Sequence, residues 1–169
     1  LRRTREYYFY LLLNTSCAIG AVLAANFLIF LLFWGMLGFL LYCMLSLGSS
    51  KVATKGLFII GSADFALILG IFFLYKLSGT LNMSGFQPLP INSGLAVAAF
   101  VLLLIGAIAK AGAMPFHGWI PDAAEKVPTP IMAFLPASLD KLLGIYLLAR
   151  ICLDFFKLIP DGPLSLLLM

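Results

Sequence analysis

Charge is what this sequence has least of. Only 11% of its 169 residues are Asp, Glu, Lys or Arg, where a soluble domain carries about 25%. Hydrophobic residues make up 63% and the mean hydropathy is +1.09. Soluble classes are therefore excluded and an integral membrane protein remains. Cysteine is scarce too. Cys17, Cys43 and Cys152 lie inside apolar runs, show no metal-ligand spacing and are odd in number, which excludes a disulfide framework. They read as small lipid- or core-facing side chains. His117 is the single histidine, and there is no Gly-rich nucleotide loop. No cofactor and no metal are expected in this chain. The net charge of +4 does not read as nucleic-acid binding, because in a membrane protein the basic residues report orientation.

What is present is a series of long apolar runs. A helix needs about 20 such residues to cross a hydrocarbon core about 30 Å thick. The runs predict helices over about Glu6–Ala24, Asn26–Leu47, Thr54–Leu77, Gly94–Ala111 and Thr129–Asp154. The hinge AAN between the first two makes them an antiparallel hairpin. GSSKVATK reads as a linker, and SGTLNMSGFQPLPINS as a polar loop rich in turn formers. From Ala111 the sequence runs AGAMPFHGWIPDA, a break punctuated by Gly112, Pro115, Gly118 and Pro121, and AAEKV adds a short helical turn. Pro136 should kink the last helix. The expected fold is all-α: a polytopic transmembrane bundle of about five spans, with one discontinuous helix around residues 111–121. LRRTRE passes into YYFYLLL without a small-residue cleavage site, so it is no convincing signal peptide. The final PLSLLLM looks like the start of another apolar helix, so the chain is expected to be a fragment of a longer subunit.

The basic residues divide unevenly. With five spans, one side receives Arg2, Arg3, Arg5, Lys51, Lys55 and Lys126, and the other Lys76, Lys157 and Arg150. The positive-inside bias then places the N-terminal end on the cytoplasmic side.

Inside the spans lie Asp64, Lys110, Asp140 and Lys141, with His117 in the break. A lysine at a helix centre costs roughly 2.5–3.5 kcal/mol on an insertion scale. Burial favours its neutral form, and a nearby carboxylate favours the charged one. A lysine whose partner can move is thus a switchable proton site. A series Lys110, His117, Lys141, spaced by water, could pass protons laterally, since histidine titrates near neutrality. A broken helix is tolerated in a membrane only where it lines a cavity or is covered by protein. Plainer readings stand beside these. Asp64 and Lys110 could be a static pair, with Gly61, Ser62 and Ala63 serving close helix packing. His117 could only brace the break. Asp140 could be a counter-ion toward a neighbouring helix or mark an interfacial side. Asp122 and Glu125 read as caps of the short helix, Trp34 and Trp119 as packing or interface anchors, and Arg150 as a snorkelling side chain.

The run AKAGAMPFHGWIPDAAEKVPTPIMAFLPASLDKLLGIYLLARI resembles the antiporter-like, proton-conducting membrane subunits. That superfamily includes the large membrane-arm subunits of respiratory complex I, the large Mrp cation/proton antiporter subunits and the corresponding subunits of membrane-bound nickel–iron hydrogenases. ASLDKLLGIYLLAR and GSAD look closer to the hydrogenase-type branch. The family has two inverted five-helix repeats, and the resemblance implies that residues 1–169 form the first, a single transmembrane five-helix repeat. It implies that Lys110 is the broken-helix lysine, Lys141 the central lysine of the next helix and His117 the histidine of the break. It also implies other membrane subunits and a peripheral redox arm as partners, in a lipid bilayer, with all redox centres in those partners. One departure is sharp. The family usually has a glutamate after the aromatic pair of the second helix, as FWE, whereas Phe33 and Trp34 are followed here by Gly35. Either Asp64 substitutes as counter-ion of Lys110, which is the favoured expectation, or coupling differs here, or this member has lost pumping and is a structural scaffold.

Overall fold

The computed structural model describes residues 3–157. Helix α1 spans Thr4–Leu23, α2 Phe27–Ser46 and α3 Ser50–Ser78. Helix α4 covers Gly94–Ala111; after the break, a 3₁₀ turn at Phe116–Trp119 leads into α5, Ile120–Lys126. Helix α6, Thr129–Phe134, passes through a π turn at Leu135–Leu139 into α7, Asp140–Arg150, and a second π turn ends at Phe155. By length and composition, Phe27–Ser46, Ser50–Ser78, Gly94–Lys126 and Thr129–Phe155 can each cross a membrane. Helix α1 has the same 20-residue length as α2 and packs along it, but Arg5, Glu6, Asn14, Thr15 and Ser16 make it more polar. The membrane bundle with one discontinuous helix therefore stands.

The chain turns sharply at each expected hinge. Asn26 caps α2 by accepting from the Leu28 N–H at 2.8 Å, which satisfies one of the orphan amides of a helix start. The linker before α3 is shorter than its Gly/Ser/Lys composition suggests. Only Leu47, Gly48 and Ser49 separate the helices, and α3 starts at Ser50. Lys51 and Lys55 fit because they lie on the exposed face, while Val52, Ala53 and Gly56 face inward. At 29 residues, α3 is about 43 Å long at 1.5 Å per residue.

The polar loop after α3 is anchored. Phe27 N–H donates to Leu81 C=O at 2.9 Å and Met83 N–H to Ala25 C=O at 2.8 Å. Met83 and Phe86 are buried beneath it. Two two-residue strands, β1 (Leu89–Pro90) and β2 (Phe156–Lys157), pair in parallel. They are a minor addition to the all-α expectation, closing the loop onto the end of the last helix. The core beneath is aromatic: Phe27, Phe86 and Phe155 meet with ring centroids 5.1–6.2 Å apart.

Helices α3 and α4 approach closely. A Cβ at Gly106 would stand 2.8 Å from Leu67 Cβ, and one at Gly70 2.9 Å from Leu103 Cγ. Small residues at such crossings let transmembrane backbones meet. Cys17 is buried, Cys43 and Cys152 are half-buried, and all are free thiols. Leu1, Arg2 and the apolar run over 163–169 lie outside the described residues.

Candidate functional site: a buried ion pair between two interrupted helices

Helix α4 stops at Gly112, whose φ is +71°. Gly112 N–H donates to Ala109 C=O and Ala113 N–H to Ile108 C=O, each at 3.1 Å. This is a Schellman ending, and its left-handed residue favours glycine. Lys110 therefore occupies the last turn of α4, where the unpaired carbonyl ends of the helix favour a cation. The other interruption lies in the helix opposite. Pro136 has no N–H to continue α-helical bonding, and residues 135–139 widen into a π turn. Asp140 N–H reaches back five residues to Leu135 C=O, and the Ser138 hydroxyl donates to Phe134 C=O at 2.7 Å. Asp140 opens α7 directly after that turn.

Gly144, one turn further on, brings α7 against α4. A Cβ there would stand 2.5 Å from Ala111 N and 2.7 Å from Ala107 O. This approach sets Asp140 opposite Lys110, with Lys110 Nζ 4.0 Å from Asp140 Oδ1. The residues are 2% and 1% exposed, and neither Lys110 Nζ nor the Asp140 oxygens has a hydrogen-bond partner among the described residues. A separation of 4.0 Å is charge attraction without a hydrogen bond.

Trp34 completes the site. Lys110 Nζ lies 5.1 Å from the centroid of its ring, within cation–π range. The Trp34 indole N–H donates to Asp64 Oδ1 at 2.7 Å. Asp64 is thus joined to Lys110 through an aromatic ring rather than by direct contact. Gly38 leaves room for the carboxylate: a Cβ there would stand 3.4 Å from Asp64 Oδ2. Gly35, where the resemblance expects a glutamate, is exposed, and a Cβ there meets nothing within 4 Å. That position faces away from the pair.

Lys110 and Asp140 are therefore adjacent, and Asp64 joins them through Trp34. His117 and Lys141 are not part of this cluster. His117 is exposed on the 3₁₀ turn, and Lys141, one residue from Asp140 and thus about a third of a helical turn round, is exposed too. Pro115 and Pro121 are exposed on the break and Gly118 is half-buried, while Trp119 is buried against α3 at Gly56.

The secondary charges are also placed. Asp122 does not merely meet water: Lys55 Nζ donates to its Oδ2 at 2.6 Å, tying α5 to the N-terminal end of α3. Arg150 pairs with Asp154 at 2.7 Å and lies 5.5 Å from the Phe155 ring centroid. An apolar groove of about 530 Å³ runs between α1 and the α6–α7 helix, past Ala18, Val22, Leu142 and Tyr146, and has no charged side chain in its lining.

Sequence reasoning read Trp34 as a packing or interface anchor, and it is buried in the core, but its contacts with Asp64 and Lys110 were not foreseen. The available signal was its place on the buried stripe of α2 with Leu37, Gly38 and Leu41, immediately before the departure at Gly35.

An interrupted transmembrane helix carrying a buried lysine, matched to a carboxylate on the next helix, defines a polytopic membrane protein with a charge pair buried inside its helix bundle. Residues 24–168 match the family described as NADH:quinone oxidoreductase/Mrp antiporter, transmembrane, and the chain belongs to that family. It is 33% identical over 154 residues to a Na(+)/H(+) antiporter subunit of Alkalihalophilus pseudofirmus, covering 86% of this chain and 19% of that protein. It is 36% identical over 168 residues to the chloroplastic NAD(P)H-quinone oxidoreductase subunit 5 of Zygnema circumcarinatum, covering 92% and 24% respectively. The fold is similar to a chain of respiratory complex I from Thermus thermophilus with bound aureothin. The TM-score is 0.75 at 24% identity, over 96% of this chain and 36% of that one. The chain thus spans about a fifth to a quarter of the length of these two curated relatives.

Proposed function

We propose that this chain is the first five-helix repeat of a proton-translocating, antiporter-like membrane subunit of a respiratory-type oxidoreductase complex, either an NADH:quinone oxidoreductase or a membrane-bound hydrogenase. One observation carries the reading. Lys110 is buried at the end of a broken helix, 4.0 Å from Asp140, with no hydrogen bond holding its ammonium among the described residues. A buried pair with ideal geometry and every proton satisfied would be a static brace. A pair left short of that can exchange its proton when a neighbouring charge or helix moves.

In this reading Lys110 accepts and releases the transported proton, and Asp140 and Asp64 balance it when charged. Exposed Lys141, next to Asp140, is the following station toward the rest of the protein, and exposed His117 serves the break as a relay. The chain carries no redox group. Electrons pass in a peripheral arm, and the other membrane subunits transmit the driving change. The assembly sits in a prokaryotic cytoplasmic membrane with the N-terminal end of the chain on the cytoplasmic side. The alternative is an Mrp-like Na⁺/H⁺ antiporter subunit, favoured by the likeness to the Alkalihalophilus pseudofirmus protein.

The test is proton translocation by the assembled complex in proteoliposomes. Lys110→Ala and Lys141→Ala are each expected to abolish translocation while the complex still assembles. Unchanged translocation in both variants would overturn the reading and leave a non-pumping scaffold. Proton release that requires Na⁺ would move the assignment to the antiporter.

A further inference from the structure

We propose that Trp34 is a positioning residue of the proton site, coupling Asp64 to Lys110 through its indole ring. The inference rests on the proposed role of Lys110 in proton transfer. Three observations converge on this side chain. Its N–H donates to Asp64 Oδ1 at 2.7 Å, at the short end of the usual N–H···O range. Its ring lies 5.1 Å from Lys110 Nζ. Trp34 is itself 1% exposed and Lys110 2%, so the ring–ammonium contact is shielded, while Asp64 at the other end is half-buried.

The physical link is direct. A ring attracts a cation through the negative face of its quadrupole. A hydrogen bond from the indole N–H to an anion fixes the plane of that ring and raises its electron density, and both effects favour the ammonium. When Asp64 changes charge or swings away, the ring loses its anchor and Lys110 loses that support. Asp140 then remains as the only carboxylate adjacent to Lys110 among the described residues, and the proton shifts toward release. Asp64 and Lys110 thus communicate although they do not touch.

The charged groups on the elements packed around Lys110 are few. Asp64 belongs to α3 and Asp140 to α7. Lys55 on α3 is occupied with Asp122, Arg150 on α7 with Asp154, and Lys51, Lys76, Lys141 and, on the 3₁₀ turn, His117 are exposed. Trp34 contacts both the α3 carboxylate and the α4 lysine.

The test is the pH profile of proton translocation by the full complex in proteoliposomes. Trp34→Phe keeps a ring and removes the N–H, and Asp64→Asn keeps an acceptor and removes the charge. Each is expected to move the alkaline limb of the profile to lower pH by about half a unit or more, the scale of one cation–π contact. The double variant is expected to move it no further than the larger single shift, because both changes cut the same connection. Trp34→Tyr, read in the same way, replaces Trp34→Phe should the latter fail to assemble. An unchanged profile in the Trp34 variant, or shifts that add in the double variant, would overturn the proposal. Lys110→Ala separates the two levels. If it abolishes translocation while the Trp34 profile stays put, only the coupling falls. If Lys110→Ala itself translocates normally, the proton-site reading falls with it.

Discussion

The two helix interruptions either side of the ion pair are made differently. At Gly112 the helix ends, with a left-handed residue, two reversed hydrogen bonds and a new chain direction. At Pro136 the helix continues through one wide turn. A glycine can adopt φ +71° where other residues meet a steric penalty. A proline removes a donor but keeps a helical φ, and here the chain accommodates it by bonding five residues back. The stop leaves Lys110 near a carbonyl-rich helix end, whereas the bulge changes the angular position of everything after it, beginning with Asp140. One interruption sets where the cation sits, and the other sets which residue faces it.

Substitutions can break that comparison, and the largest effect is expected at Gly144. A leucine there would drive its side chain into the Ala107–Ala111 backbone, which stands 2.5 Å from the Cβ position. Helices α4 and α7 would separate, and native gels of solubilised membranes should show no assembled complex. Asp140→Leu comes next. It strands a buried ammonium, a change that typically costs about 3–5 kcal/mol, visible as a lowered melting midpoint of the purified complex.

Gly112→Ala should cost less, about 1–2 kcal/mol for the left-handed conformation, with added crowding from Ile120 Cδ1 at 2.9 Å. Gly112→Asn should lose a smaller part in the same melt. Pro136→Ala is expected to be the mildest, within about 1 kcal/mol of wild type, because the helix already continues through the wide turn, with Asp140 N–H bonded to Leu135 C=O. A loss at Pro136→Ala as large as that at Gly112→Ala would mean that both interruptions are true stops.

The membrane class, the helices and the break were legible because hydropathy and Gly/Pro punctuation act locally. The N-terminal extension of α3 was hidden because a lysine-bearing helical face and a polar linker have the same composition. The ties from Leu81 and Met83 back to the first hinge are contacts between distant segments, which no local pattern announces. Within the site, Lys110 and Asp140 could be named, but their pairing could not. Asp140 and Lys141 are neighbours in sequence and point a third of a turn apart, and the π turn before them decides which one faces α4. Asp64 could be proposed as a counter-ion, but its connection by way of Trp34 depends on three helices meeting.

The most direct measurement is proton translocation by the Lys110→Met/Asp140→Leu double variant, beside its melting midpoint. Removing both charges leaves neither member of the pair stranded, and half-buried Asp64 keeps its hydrogen bond from Trp34, so the midpoint should recover well above that of Asp140→Leu, while translocation stays abolished. A stable double variant that translocates protons at the wild-type rate would contradict the assignment of Lys110 as the proton carrier.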